Sequence, residues 1–253
     1  MDFKSFGFSD AGKLRSHNED RYLCNAEHKL FLVADGMGGQ ASGETASQLA
    51  VREMEDFVIR SRSQGERWPR KARHDLTLEQ HRLLAAVTLA NRRIYEAAGA
   101  SPEMKGMGTT LVGAILEGDH LAVVNVGDSR LYRVRDGEIL QLTVDHSFVE
   151  ERVRKGDLTR EEARGHEKKH ILTRALGVQE KVKADLSLVD LKSGDLVLLC
   201  SDGLYRMLED SRILSVMESV MDRSLYKIGL SLVLQANLAG GLDNITVVLI
   251  ALS

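Results

Sequence analysis

Apolar and polar positions in about the first hundred residues predict strands followed by helices. Strand-like patterns cover residues 3–10 and 20–35. Between residues 40 and 60, apolar side chains recur at the three- and four-residue spacing of an amphipathic helix. A polar stretch at 61–76 interrupts this pattern, and a second helix follows to about residue 98. Thr77 is its predicted cap, because a glutamine stands three residues later.

The rest of the chain is rich in strands. Short strands are predicted at 110–116, 121–126, 131–134, 139–142, 183–191, 195–201 and 245–252. The connections among the first four are too short for parallel crossovers, so these strands form antiparallel hairpins. Helices are predicted at 209–221 and 224–238. Because strand runs and helix runs are segregated, we predict an α+β fold of two stacked antiparallel sheets flanked by helix pairs.

Composition is that of an ordinary globular protein, and it excludes several classes of partner. The 253 residues carry a net charge of −3, which gives no general attraction to nucleic acid or to an anionic membrane. No linker divides the chain, so we predict one domain over 1–253. The chain shows no secretory leader and no apolar run of about 20 residues. Cys24 and Cys200 are expected to be buried reduced thiols, which favours a cytoplasmic location. We also expect a monomer.

Several acidic residues stand where a predicted strand begins or ends, beside glycine or a small polar residue. They are Glu19, Asp20, Asp35, Asp128, Asp202 and Asp243. Carboxylates at strand ends can converge at one edge of a sandwich, where their mutual repulsion would raise their pKa values. Divalent cations relieve this repulsion, and a donor set made only of oxygen favours Mg²⁺ or Mn²⁺ over zinc. Taken singly, each of these positions is better explained as a hairpin turn.

A set of motifs that resembles those of a known family favours a metal site over simple hairpin turns. The chain resembles the metal-dependent serine/threonine protein phosphatases of the 2C type, the PPM family, in its compact bacterial form. The similar motifs, in the family's order, are Arg15-Ser16-His17-Asn18-Glu19-Asp20, Asp35-Gly36-Met37-Gly38-Gly39, Gly108-Thr109-Thr110, Gly127-Asp128-Ser129-Arg130, Asp145-His146-Ser147, Ser201-Asp202-Gly203-Leu204 and Asp243-Asn244-Ile245-Thr246. They extend over nearly the whole chain.

The resemblance implies a site for two Mn²⁺ or Mg²⁺ ions at one edge of the sandwich. By motif, Asp35 would bridge the two metals and the Gly36 carbonyl would be a ligand. Asp202 and Asp243 would hold one metal, and Glu19 would reach the other directly or through water. Asp128, with Asp202, matches the position that supports a third, weaker metal in bacterial members. Asp20 and Asn244 would orient the ligands.

The resemblance also implies the reaction. A hydroxide bridging the two metals would attack phosphoserine or phosphothreonine, while the planar fork of Arg15 grips the phosphate. The implied partners are phosphorylated proteins, among them a bacterial Ser/Thr kinase. Met37 replaces a histidine that is a candidate general acid in other members, and His17 and His146 are weak alternatives. The charged segment 146–170, with short helical pieces, corresponds to the flap beside the active site.

Three other interpretations are less favoured than this resemblance. Cys200 and Arg206 have the Cys-x5-Arg spacing of cysteine-based phosphatases, although Asp202 inside that loop would repel phosphate. A catalytically dead phosphatase fold that binds phosphoproteins would be expected to have lost metal carboxylates. The basic stretch 60–73, with Trp68, is interpreted as an exposed loop rather than a nucleic-acid site.

Overall fold

The computed structural model describes residues 1–38, 42–63, 75–220 and 224–253. Its strands are β1 Phe3–Asp10, β2 Asp20–Asn25, β3 Leu30–Met37, β4 Gly108–Thr109, β5 Leu111–Glu117, β6 His120–Val126, β7 Arg130–Arg135, β8 Glu138–Gln141, β9 Asp185–Asp190, β10 Leu196–Cys200 and β11 Ile245–Leu252. One sheet has the order β1-β11-β10-β7-β8, and the other has the order β2-β3-β5-β6-β9 with β4 paired to β3. Every pairing is antiparallel, as predicted.

Helices lie outside both sheets. They are α1 Ser42–Ser63, α2 Leu78–Ala100, α3 Phe148–Lys155, α4 Arg160–Gly165, α5 Asp202–Tyr205, α6 Asp210–Ser219 and α7 Leu225–Leu238, with a 3₁₀ turn at Pro102–Met104. The predicted cap of α2 is confirmed, because Thr77 and Gln80 form a reciprocal capping box. None of the described helices combines the length and the apolar character that a membrane span requires.

Three apolar layers hold the sandwich together. The inner layer lies between the sheets, where Phe31 and Val112 of one sheet pack with Val197 and Val248 of the other. In the two outer layers, α1 and α2 cover the β3 sheet, and α6 and α7 cover the β11 sheet. This layering follows from the sequence, because strands buried on both faces are continuously apolar while the helices carry one apolar stripe. The predicted fold class is confirmed.

The predicted boundaries need corrections. Helix α1 continues through Ser63, so the polar interruption begins later than predicted, and its remainder, including Trp68, falls largely outside the described residues. Helix α6 ends at Ser219, and β9 is shorter than the predicted strand. The four-residue helix α5 was not predicted. Cys24 is only half-buried, because β2 lies at the edge of its sheet, whereas Cys200 is fully buried; both are free thiols.

Candidate functional site

One cavity of about 730 Å³ opens at the edge of the sandwich where the acidic strand ends meet. Its lining includes Arg15, Glu19, Asp35, Gly36, Asp128, Asp202, Asp243 and Asn244. The structure therefore brings together all the residues proposed from sequence except Asp20, which lies buried behind the cavity wall. The acids come from both sheets, because β3 supplies Asp35 while the ends of β10 and β11 position Asp202 and Asp243.

Asp35 is held by the pairing of β3 with the β4–β5 segment. Its backbone N–H donates to the Thr110 hydroxyl at 3.1 Å, and its carbonyl accepts from the Thr110 N–H at 2.9 Å. The next residue, Gly36, has no room for a side chain. A Cβ there would lie 2.1 Å from the Gly43 carbonyl oxygen and 2.6 Å from the Glu19 carbonyl oxygen. This close approach brings the beginning of α1 and the Glu19 loop up to the Asp35 carboxylate.

Asp20 connects the two sheets directly behind the cavity. It lies opposite Asp35 in the β2–β3 register, and one of its carboxylate oxygens accepts hydrogen bonds from Ser201 at 2.7 Å and Thr246 at 2.6 Å. Both hydroxyls belong to the opposite sheet or its end. The other Asp20 oxygen is buried and has no hydrogen-bond partner. Burial raises the pKa of Asp20 to about 6, although the two hydroxyls oppose the shift.

Asp243 and Asn244 organise the loop that carries Arg15 and Glu19. The Arg15 guanidinium donates to Asp243 Oδ2 at 2.8 Å, and it is about half exposed at the cavity mouth. The Asn244 side-chain oxygen accepts from the Glu19 N–H at 2.8 Å. Its amide nitrogen donates to the carbonyls of Ala11 and His17, each at 2.9 Å. One amide therefore fixes both ends of this loop, which agrees with the predicted orienting role.

At the opposite end of the cavity, Asp128 and Asp202 share one arginine. Arg206 reaches Asp202 Oδ2 at 2.5 Å through one terminal nitrogen and Asp128 Oδ2 at 3.0 Å through the other. The Tyr205 hydroxyl donates to the same Asp128 oxygen at 3.1 Å. Asp202 and Tyr205 lie in α5 and Arg206 follows it, whereas Asp128 lies in the β6–β7 turn. In the sequence, Arg206 stands out only by its spacing from Cys200, and no pattern predicts this contact.

The pKa values of the carboxyl groups in the cavity are raised by burial and by repulsion among them. Burial, followed by repulsion from Asp20 and Asp202, holds the pKa of Asp35 well above its usual range. Burial also raises the pKa of Asp202 to about 7, although the Arg206 charge opposes the shift. The pKa of Glu19 is raised in turn, chiefly by burial. The arginines that contact the cluster pair with other acids, Arg15 with Asp243 and Arg206 with Asp202 and Asp128.

Comparison with known proteins agrees with this geometry. A family model described as protein phosphatase 2C matches residues 13–242. The chain belongs to the protein phosphatase 2C family. Serine/threonine phosphatase stp of Listeria welshimeri is 37% identical over 250 residues, which are 96% of this chain and 93% of that protein.

Solved structures of phosphatase 2C proteins share the fold of this chain. The Mycobacterium tuberculosis serine/threonine phosphatase PstP/Ppp matches with a TM-score of 0.86 and 35% identity over 99% of both chains. A second structure, the PstP catalytic domain in complex with two manganese ions, matches with a TM-score of 0.82 and 35% identity. That match covers 98% of this chain and 97% of the other. The resemblance inferred from motifs is thereby confirmed.

The cavity of this phosphatase 2C chain has the chemistry of a site for hard divalent cations. Its acidic donors are all oxygens, the pKa values of Asp35 and Asp202 are raised by burial and by repulsion from neighbouring carboxylates, and a buried Asp20 oxygen lacks a partner. Among the described residues, no three histidine, cysteine or carboxylate side chains form a group that could hold a metal ion by themselves. Backbone carbonyl and water ligands would have to complete the coordination, which is usual for Mg²⁺ and Mn²⁺.

The two weak general-acid alternatives, His146 and His17, are a structural and a surface histidine in this phosphatase 2C chain. His146 is buried and accepts a hydrogen bond from the Gly127 N–H at 3.1 Å, so it supports the Asp128 turn. His17 is exposed and does not line the cavity. His170 of the flap and Met37 do line it. Burial and the nearby Arg206 charge lower the pKa of His170. No sequence motif marks His170, because it reaches the cavity only through the fold of the flap.

The cysteine-nucleophile alternative is wrong for this chain. Cys200 is fully buried within β10, and burial raises the pKa of its thiol far above the usual value. The residues that would form the phosphate-binding loop of a cysteine-based phosphatase instead form helix α5. Arg206, which follows this helix, pairs with Asp128 and Asp202. A reactive thiolate needs partial exposure and an electropositive neighbourhood, and Cys200 lacks the exposure.

Proposed function

We propose that this protein phosphatase 2C hydrolyses phosphoserine and phosphothreonine in proteins and uses two Mn²⁺ or Mg²⁺ ions. The observation that carries the proposal is the convergence of Asp35, Asp202 and Asp243 from two sheets on one open cavity with Arg15 at its mouth. The names of the relatives, serine/threonine phosphatases, support the substrate class. The manganese-bound relative supports the choice of metal.

The ligand assignment is part of this proposal. Asp35 would serve both cations, and the Gly36 carbonyl would be a further ligand. Asp202 and Asp243 would hold one cation, and Glu19 would reach the other directly or through water. Two cations bound there would lower the pKa of a water between them and neutralise the phosphate. The chain itself positions these donors, since Thr110 holds the backbone of Asp35 and Asn244 holds that of Glu19. Asp20 keeps the two contributing sheets in register behind the ligands.

Arg15 is proposed to bind the substrate phosphate. Its guanidinium contacts Asp243 through one terminal nitrogen, so the rest of the planar fork remains for phosphate oxygens. The contact with Asp243 also orients the side chain over the cavity before substrate arrives. A phosphorylated side chain would therefore enter between Arg15 and the Asp35 end of the cluster.

Hydrolysis of p-nitrophenyl phosphate and of a phosphothreonine peptide tests the function. Wild type is expected to be active with Mn²⁺, inactive with EDTA, and active again when Mn²⁺ is restored in excess. Cys200→Ser is expected to retain activity, because its thiol is buried in the core. Activity that survives exhaustive chelation, or that depends on Cys200 in a folded variant, contradicts the proposal. Inactivity under all conditions, in protein shown to be folded, would instead favour the binding-module alternative.

Arg15→Gln is expected to raise KM for the phosphopeptide by about 10- to 100-fold, the value of one charge-assisted hydrogen bond. The change in kcat should be smaller, because the metal ligands remain in place. Steady-state kinetics on the variant give both numbers. Arg52→Gln is the matched control, since Arg52 is an exposed arginine on α1 far from the motif residues. An unchanged KM in Arg15→Gln would remove this residue from the substrate site.

The biological setting stays a prediction. A Ser/Thr kinase acting on the same proteins is the expected opposing enzyme, since each phosphate that the phosphatase removes must first be added. The cytoplasmic location and the monomeric state expected from composition are likewise proposals.

A further inference from the structure

Arg206 is placed where a cation would otherwise be needed. Asp128 and Asp202 are both buried, and burying two carboxylates side by side is costly unless a positive charge lies between them. The Arg206 guanidinium contacts one oxygen of each, at 3.0 Å and 2.5 Å. It therefore offsets one of the two negative charges at this end of the acidic cluster with a side chain of the protein itself.

Local structure keeps this arginine in position. Arg206 follows helix α5, and its N–H donates to the Asp202 carbonyl at 2.9 Å, so one helical turn places both side chains on the same face. Its side chain is about one-quarter exposed, which leaves it little freedom to move away. The two carboxylates, from separate parts of the fold, fix both ends of its planar fork.

Tyr205 secures Asp128 in the same arrangement. The tyrosine hydroxyl donates to Asp128 Oδ2, the oxygen that Arg206 also contacts. Its ring is covered by the Arg130 guanidinium, whose carbon lies 3.6 Å from the ring centre. Arg130 is in turn fixed by a two-pronged contact with Asp145. Asp128 Oδ2 is thus held by Tyr205 and Arg206, and the network continues through Arg130 to Asp145.

We propose that Arg206 is a built-in counter-cation that keeps Asp128 out of the metal set of this chain. A divalent cation could bind between Asp128 and Asp202 only after the Arg206 side chain had left both carboxylates. The inference rests on the proposed metal site, and it differs from the sequence-based expectation that Asp128 is a metal ligand. The chain would then hold metals only at the end of the cavity formed by Asp35, Asp243 and Glu19, with Asp202 shared between the two ends.

Counting bound Mn²⁺ tests this without reference to activity. Equilibrium dialysis with free Mn²⁺ measured by electron paramagnetic resonance gives the number of ions per chain for each variant. Arg206→Gln is expected to bind one more Mn²⁺ than wild type, and the gain should disappear in the double variant Arg206→Gln/Asp128→Asn. Arg212→Gln is the matched control, because that arginine on α6 loses the same charge and contacts Gln235 rather than a carboxylate.

Asp128→Asn in the wild-type background provides an independent test that does not require Arg206→Gln to fold. It is expected to bind the same number of Mn²⁺ ions as wild type. Loss of one ion in Asp128→Asn, or no gain in folded Arg206→Gln, would overturn the inference. The number of Mn²⁺ ions bound per wild-type chain tests the proposed function instead. Two bound ions support that function, and a chain that binds no ion contradicts it. The role of Arg206 is judged only from the differences between variants.

Discussion

Asp35→Asn is expected to lower kcat/KM for a phosphopeptide by at least about 1,000-fold. A single preorganised charge in an active site is commonly worth about 100- to 1,000-fold, and Asp35 is proposed to serve both cations. The substitution keeps the size of the side chain and removes its charge, so the packing of β3 should persist. Steady-state kinetics at saturating Mn²⁺ measure the loss.

Thermal unfolding separates a lost ligand from a damaged fold. Metal-free Asp35→Asn should unfold at the same temperature as wild type or higher, because the buried charge that repels Asp20 and Asp202 is gone. The rise in melting temperature that Mn²⁺ gives wild type should be much reduced. Asp119→Asn, an exposed acid on the β5–β6 turn, is the matched control and should behave as wild type. Full activity in Asp35→Asn would refute the metal assignment.

Gly203→Ala is expected to lower the free energy of unfolding by about 3 kcal/mol, the upper end of the usual cost of overpacking. A Cβ on Gly203 would lie 2.0 Å from the Asn244 carbonyl oxygen, so the α5 helix and the start of β11 would have to separate. Urea denaturation at constant metal concentration measures the change. Because Asp202 and Asp243 flank the two contacting residues, the affinity for Mn²⁺ should fall as well.

Gly99→Ala is the control for this substitution. Gly99 lies in α2, and a Cβ there would meet no atom within 4 Å. Alanine should therefore stabilise the helix, by about 0.5 kcal/mol. If Gly203→Ala proved as stable as wild type, the close packing of α5 against Asn244 would not be a constraint on the fold.

The sequence predicts the framework of this site well because its acids are attached to strand ends. Strands such as β11 are continuous apolar runs, so their first and last residues can be located in the sequence. A carboxylate next to such a residue must lie where the strand ends. The positions of Asp35, Asp202 and Asp243 follow from this logic and from the motifs. The capping box at Thr77 is equally local, and it was predicted correctly.

Contacts between distant segments could not be predicted in the same way. The contact of Arg206 with Asp128 joins residues 78 positions apart, and no periodicity relates them. The α5 helix has only four residues, too few for an apolar stripe to mark it. His170 reaches the cavity through an irregular part of the flap, where the sequence pattern indicates only charge. These features depend on how the sheets and the flap meet.

The pairing of β1 with β11 has a consequence for the synthesis of the protein. Phe3 pairs with Leu252 and Asp10 with Ile245, so β1 cannot pair with β11 until more than two hundred further residues have been synthesised. The hydrogen bond between Asp20 and Thr246 likewise joins residues that lie 226 positions apart in the chain. Folding of such non-local topologies is slow, because the entropy of closing long loops is lost before the contacts form. The carboxylates of the proposed metal site therefore cannot come together until the segment that carries Asp243 and β11 has been synthesised.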